Sequence, residues 1–110
     1  MNSLRNKVQL IGNLGNDPEI INLESGKTLA KFNIATNENY KNANGEKVTD
    51  TQWHNIIAWG KTAQIIEKYL TKGKEVAIEG KLTSRSYETK EGDKRYITEI
   101  VCNELLMLGK

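Results

Sequence analysis

The stretch at residues 51–60, TQWHNIIAWG, holds both tryptophans of the chain and its single histidine. An imidazole can move a proton or bind a metal, and a flat indole can stack on a nucleobase. Proton chemistry fares poorly here. A nucleophile needs a base beside it and a group that orients the base; His54 sits next to Trp53, and Cys102 lies in a distant segment. One cysteine and one histidine do not fill a four-ligand zinc site. Gly12-Asn13-Leu14-Gly15 is not followed by the GK[ST] of a phosphate loop, nor set in a parallel strand–helix unit. No catalytic residue, no metal and no cofactor is therefore expected, and His54 reads as a strand histidine at a subunit contact.

The aromatic residues point elsewhere. Trp53 and Trp59 lie six residues apart. On one strand they share a face and sit roughly 20 Å apart at about 3.3 Å per residue. That is too far to stack on each other and suits separate bases along an extended strand. Other rings have basic neighbours: Lys41 follows Tyr40, Gly60-Lys61 follows Trp59, and Arg85 precedes Tyr87 in a segment that continues through Lys90, Lys94, Arg95 and Tyr96. Interleaved rings and cations are what single-stranded nucleic acid requires, since bases stack without regard to sequence and phosphates pair with Lys and Arg. The competing reading is that the tryptophans fill a core and the lysines are solvated. From the residues alone both readings of the tryptophans stand, whereas Tyr40, in a polar stretch, is the weaker candidate for burial.

The elements that must position these residues can be read in outline. A first strand is expected near residues 6–12, with Val8 and Leu10 on one face, followed by a turn at Gly15-Asn16-Asp17-Pro18. A second turn falls at Glu24-Ser25-Gly26-Lys27. Residues 28–36, TLAKFNIAT, alternate with Ala30, Phe32 and Ile34 on one side. Residues 37–46 read as a polar loop carrying Tyr40, and residues 48–60 as a third strand. At residues 61–72 the period becomes helical through Ala63, Ile66, Tyr69 and Leu70, with a stop at Lys72-Gly73-Lys74. Residues 75–89 and 95–108 return to strand, joined by a hairpin turn at Lys90-Glu91-Gly92-Asp93. Gly12 and Gly80 mark sharp bends within strands. Five strands with one short helix between the third and fourth is the all-β pattern of an OB-fold, a five-stranded Greek-key barrel; an SH3-like barrel, which lacks that helix, ranks second.

Composition fits this outline. The 110 residues are most simply one domain, residues 1–110. Charged residues make up 27%, and the net charge of +2 permits a nucleic-acid partner without requiring one. A single cysteine excludes an intramolecular disulfide and suits a reducing compartment. No apolar run has the length of a signal peptide core or of a membrane span. A cytoplasmic protein with no membrane role is expected.

Five segments in order resemble the bacterial single-stranded DNA-binding proteins: NKVQLIGNLGNDPE at 6–19, TQWH at 51–54, GKTA at 60–63 with YLTKG at 69–73, IEGKL at 78–82, and RYITE at 95–99. The resemblance covers nearly the whole chain, from about residue 6 to 109. It implies an OB-fold assembled as a homotetramer, with single-stranded DNA wrapped over its outside during replication, recombination and repair. It implies base stacking at Tyr40, Trp53, Trp59 and Tyr87; relatives often carry tryptophan at the first and last of these and phenylalanine at Trp59, and every exchange keeps a flat ring. Lys61, Lys72 and Arg85 match positions that contact phosphate, and Lys7, Lys74 and Arg95 are expected to join them. Some relatives carry basic residues where this chain has Asn55, Thr71, Thr83 and Ser86, so a shallower salt dependence is expected. His54 matches a subunit-interface position. Relatives commonly continue into a flexible linker with an acidic tip that recruits replication and repair enzymes. This sequence stops at Leu106-Met107-Leu108-Gly109-Lys110, so tail-mediated recruitment is not expected of it. The alternative from another class is an OB-fold accessory protein of the primosome type, acting mainly through protein contacts.

Overall fold

In a computed structural model, which describes residues 5–108, the alternating segment TLAKFNIAT is the start of a 14-residue strand whose Ala30, Phe32 and Ile34 are buried. In chain order the elements are β1 (Val8–Leu14), β2 (Glu19–Asn22), β3 (Thr28–Lys41), β4 (Lys47–Trp59), α1 (Gly60–Tyr69), β5 (Glu75–Glu88) and β6 (Lys94–Met107). Antiparallel pairing links β1 to β5, β5 to β6 and β3 to β4, while β4 and β6 run parallel. A short pairing of Asn13 and Leu14 with Ala35 and Ile34 joins β1 to β3 and closes the ring. The result is the expected five-stranded OB barrel, β1-β3-β4-β6-β5, and closure leaves its five strands no open edge within the ring. The four-residue β2 is added outside the ring, paired only to β3; it is too short for a period to be read. With β2 counted, the helix lies between β4 and β5.

Two boundaries differ most from the sequence reading. β1 runs two residues later than expected, and the stretch read as a loop at 37–46 is mostly strand. β3 and β4 pair without a break from Leu29–Trp59 to Lys41–Lys47, leaving only a tight turn whose Asn42 Oδ1 accepts the backbone N–H groups of Asn44 and Glu46. Polar residues support this arm from side to side: Thr49 donates to Asn39 and Thr51 to Asn37 at 2.8 and 2.7 Å. A ribbon bare on both faces carries no hydrophobic alternation, so it reads as loop. Tyr40 is therefore a strand residue, opposite Val48.

The core gathers Leu14, Phe32, Ile34, Ile56, Ile66, Leu70, Val76, Ile78 and Ile100. The helix contributes Ala63, Ile66 and Leu70, while Tyr69 of the expected apolar stripe stays exposed. Gly60, at φ +62°, turns the chain from β4 into the helix, a conformation open to glycine. Gly80 marks a register shift between β5 and β6, and a Cβ there would overlap the Val101 carbonyl. A Cβ at Gly12 would likewise overlap the Ala35 carbonyl, near the point where β1 changes partner from β5 to β3.

Candidate nucleic-acid interface

The alternation of β4 separates its residues cleanly. Ile56 and Ala58 are buried, and His54 is half-buried on the same side. Trp53, Asn55 and Trp59 are exposed on the other, with Ile57 half-buried among them. Ile56 thus fills the barrel, whereas Ile57 lies on the outer side. The rings are displayed: Trp53 is 61% exposed, Trp59 42%, Tyr40 52% and Tyr87 48%. This excludes the reading in which the tryptophans fill the core, because a ring filling the core would be closed to solvent.

Trp53 is exposed yet seated. Its six-membered ring lies against Gly15, where a Cβ would overlap both the ring and Asn33 Oδ1. The Gly15 backbone N–H donates to the Asn33 carbonyl at 3.0 Å, and Asn16 Oδ1 accepts the Asn33 N–H at 3.1 Å. Asp17 Oδ1 accepts the backbone N–H of Lys72, and Gly73 donates to the Leu14 carbonyl, both at 2.8 Å. The segment that carries Lys72 and Lys74 is thereby tied to the segment that supports Trp53. Gly15 as a seat for the indole is invisible locally, because the ring reaches it from another strand.

Beside this lies a shallow hollow of about 180 Å³, whose walls include Lys31, Asn33, Asn55, Ile57, Arg85 and Glu99. Glu99 is only 4% exposed, a buried carboxylate in a chain of modest core. Arg85 holds it with two bonds, Nε to Oε1 at 2.9 Å and Nη2 to Oε2 at 3.3 Å, while its own side chain stays half open to solvent. That hydrogen bonding, and then the carboxylate's charge, raises the guanidinium pKa above its ordinary value. Arg85 thus compensates a buried charge and still presents donors outward. Tyr87 follows on the same side of β5, opposite Arg95 on β6.

The other named residues are scattered around this surface. Lys61 opens the helix directly after Trp59 and Gly60. Lys7 lies just before β1, its Nζ 3.2 Å from Glu79, and so enters with a carboxylate partner. Tyr40 falls on the opposite side of the β3–β4 ribbon from Trp53 by strand alternation. His54 Nε2 lies 3.0 Å from Thr36 Oγ1. The Cys102 thiol is pushed up to about 11 by burial. Among the described residues no three His, Cys, Asp or Glu side chains gather as a metal site, and no helix is long and apolar enough to cross a membrane.

A closed five-stranded barrel with aromatic rings and cations on its outer surface places the chain among the OB-fold proteins. Residues 5–108 match the Single-strand binding protein family, and the chain belongs to that family. It is 51% identical over 105 residues to Single-stranded DNA-binding protein 1 of Chlorobaculum tepidum, covering 94% of this chain and 65% of that protein. It is 45% identical over 104 residues to the Single-stranded DNA-binding protein of Neisseria meningitidis, covering 94% of this chain and 60% of that one. The chain thus spans somewhat under two thirds of the length of these two relatives. Among solved structures it is similar to a chain described as Plasmodium falciparum SSB complex with ssDNA, at 35% identity and a TM-score of 0.88, covering 99% of this chain and 100% of that chain.

Proposed function

We propose that this chain binds single-stranded DNA without strong sequence preference, in replication, recombination and repair in the cytoplasm. The observation that carries this reading is the outward display of Trp53 and Trp59 on β4, with Arg85 and Tyr87 on β5, the strand beyond β6. Trp53, Trp59, Tyr40 and Tyr87 stack on bases, and any base offers the π-face they need. Lys61, Lys72, Lys74 and Arg95 hold phosphates. Lys7 and Arg85 do so with part of their charge already answered by Glu79 and Glu99, which lowers the net charge available per nucleotide and flattens the salt dependence.

The chain acts as a homo-oligomer, most simply a tetramer. Supporting this is a second outward surface where Ile11, Ala77 and Leu106 stand side by side on β1, β5 and β6 in one cross-strand row. Ile11 and Leu106 are exposed, and the row lines a broad depression of about 820 Å³. An exposed aliphatic row on a sheet suits burial against a copy of itself across a two-fold axis. His54 belongs to a subunit contact in the same assembly.

Titration with oligo(dT), followed by tryptophan fluorescence, tests the reading. Strong quenching that saturates at a fixed site size and weakens with salt is expected; no quenching at low salt by the folded protein overturns it. Trp53→Ala and Trp59→Ala should each weaken binding by about 1–3 kcal/mol, one lost stacking platform, with the fold intact. Variants that bind as wild type would remove the rings from the interface.

A further inference from the structure

The aromatic residue most open to solvent has no role so far. Tyr96 is 73% exposed, more than any other large hydrophobic side chain among the described residues. Its setting follows from the pairing pattern. β5 pairs with β1 only as far as Gly80, and β6 meets β4 only at Ile100 and Val101. Residues 82–98 therefore continue as a two-stranded ribbon past these pairings; Arg85 and Ile97 on one face border the hollow beside β3 and β4, whereas Ser84, Ser86, Lys94, Tyr96 and Thr98 on the other are exposed. Alternation places Arg85, Tyr87, Arg95 and Ile97 on one face. It places Ser84, Ser86, Lys94, Tyr96 and Thr98 on the other, the side that inside the barrel would have met the core.

That second face has a definite chemistry. Ser86, directly opposite Tyr96, is too small to cover the ring. Lys94 Nζ lies 5.9 Å from the ring centroid, within reach of a cation–π contact. Ser84 Oγ and Thr98 Oγ1, 3.3 Å apart, continue the surface with hydroxyls. The carboxylate on this face, Glu88, lies opposite Lys94. Leu82 is the aliphatic side chain on the ribbon's inner side, so the face lacks the apolar row that marks β1, β5 and β6. An open ring, a cation and hydroxyl donors together fit a nucleotide better than a protein surface.

We propose that Tyr96 is a further base-stacking platform, with Lys94 as its phosphate contact, on the face of the β5–β6 ribbon turned away from Tyr87. A bound strand that leaves Tyr87 crosses the ribbon's edge and is held again on the far side. The proposal rests on the single-stranded DNA reading above and lengthens the path of the strand rather than changing its kind.

The test uses the whole chain, wild type and with Tyr96→Ala or Tyr96→Phe, titrated with oligo(dT) of increasing length. Both tryptophans remain as reporters in every variant. The shortest oligomers that quench wild type should bind Tyr96→Ala unchanged, and the longest should bind it about tenfold more weakly, the scale of one lost stack. Tyr96→Phe should restore wild-type affinity. If wild type quenches normally and Tyr96→Ala matches it at every length, Tyr96 is no platform. Equal weakening by alanine and phenylalanine also overturns the proposal, because it makes the hydroxyl and not the ring the contact. A lower assembly mass for Tyr96→Ala with unchanged DNA affinity assigns the residue to a subunit contact instead. Absence of quenching by wild type removes the DNA reading itself, and this inference with it.

Discussion

The outer side of β4 presents Trp53 and Trp59, separated by Asn55 and the half-buried Ile57, whereas the outer side of β1, β5 and β6 presents Ile11, Ala77 and Leu106 in a row. Both surfaces belong to one barrel and both expose apolar atoms, so exposed area alone does not tell them apart. Geometry and neighbours do. Planar rings set among amides and cations offer a π-face and a charge for each nucleotide. Branched aliphatic side chains offer neither, and gain only when another apolar surface excludes water from them. On the reading proposed above, one barrel would hold a polyanion on one side and a copy of itself on another.

The comparison breaks most visibly at the aliphatic row. A double substitution, Ile11→Asp with Leu106→Asp, places carboxylates in any interface built there and should reduce the assembly to a smaller species in analytical ultracentrifugation. Quenching by short oligo(dT) should persist, because the aromatic side is untouched. An unchanged mass would mean that the row is not the contact.

A smaller effect is expected on the aromatic side from Gly15→Ala. The added Cβ has no room beside the Trp53 ring, so the ring must lift or the strands must shift, at a cost of about 1–3 kcal/mol in stability. Affinity for oligo(dT) should fall, by less than for Trp53→Ala, since a displaced ring still offers a face. Wild-type affinity and wild-type melting together would mean that the seat does not matter.

The smallest effect concerns charge beside the aliphatic row. Glu79 accepts from Gln9 at 2.9 Å and pairs with Lys7, and these contacts lower its pKa, the Gln9 hydrogen bond most and Lys7 next. A carboxylate with a lowered folded-state pKa stabilises the fold above its unfolded pKa, and the contribution vanishes as pH falls through the folded value. The melting temperature of Glu79→Gln should lie slightly below wild type at neutral pH and meet it in acid. A gap that persists in acid would trace the difference to packing.

Much of this architecture was legible in the residues. TLAKFNIAT alternates because one of its sides is core, and the helical period after Gly60 survives because Ala63, Ile66 and Leu70 all face that core. The segment at 37–46 is not legible as strand: its pairing is fixed by Asn–Thr bonds across the ribbon, and polar side chains on both faces leave no period. Trp53 and Trp59 could be named as candidates, but their exposure depended on which side of β4 the barrel would occupy. The Arg85–Glu99 pair was within reach. A turn at Lys90-Glu91-Gly92-Asp93 sets the β5–β6 register, and that register puts Glu99 diagonally across from Arg85. Gly15 was read only as part of a turn, because the ring it supports arrives from a strand nearly forty positions later.

The ring of strands is sealed unevenly. The pairings of β3 with β4 and of β5 with β6 run for most of the strand length, whereas β4 meets β6 at two positions and β1 meets β3 at two. The barrel behaves as two long clasps joined by narrow seams, and the Trp pair rides on one clasp while Arg85 and Tyr87 ride on the other. Transient parting of the β4–β6 seam would separate the two halves of the aromatic surface while leaving each hairpin whole. Amides at the seam, around Ile56 and Ile100, are then the place where hydrogen exchange reports whether the surface is assembled, and a strand of DNA lying across both clasps would slow that exchange without touching the seam at all.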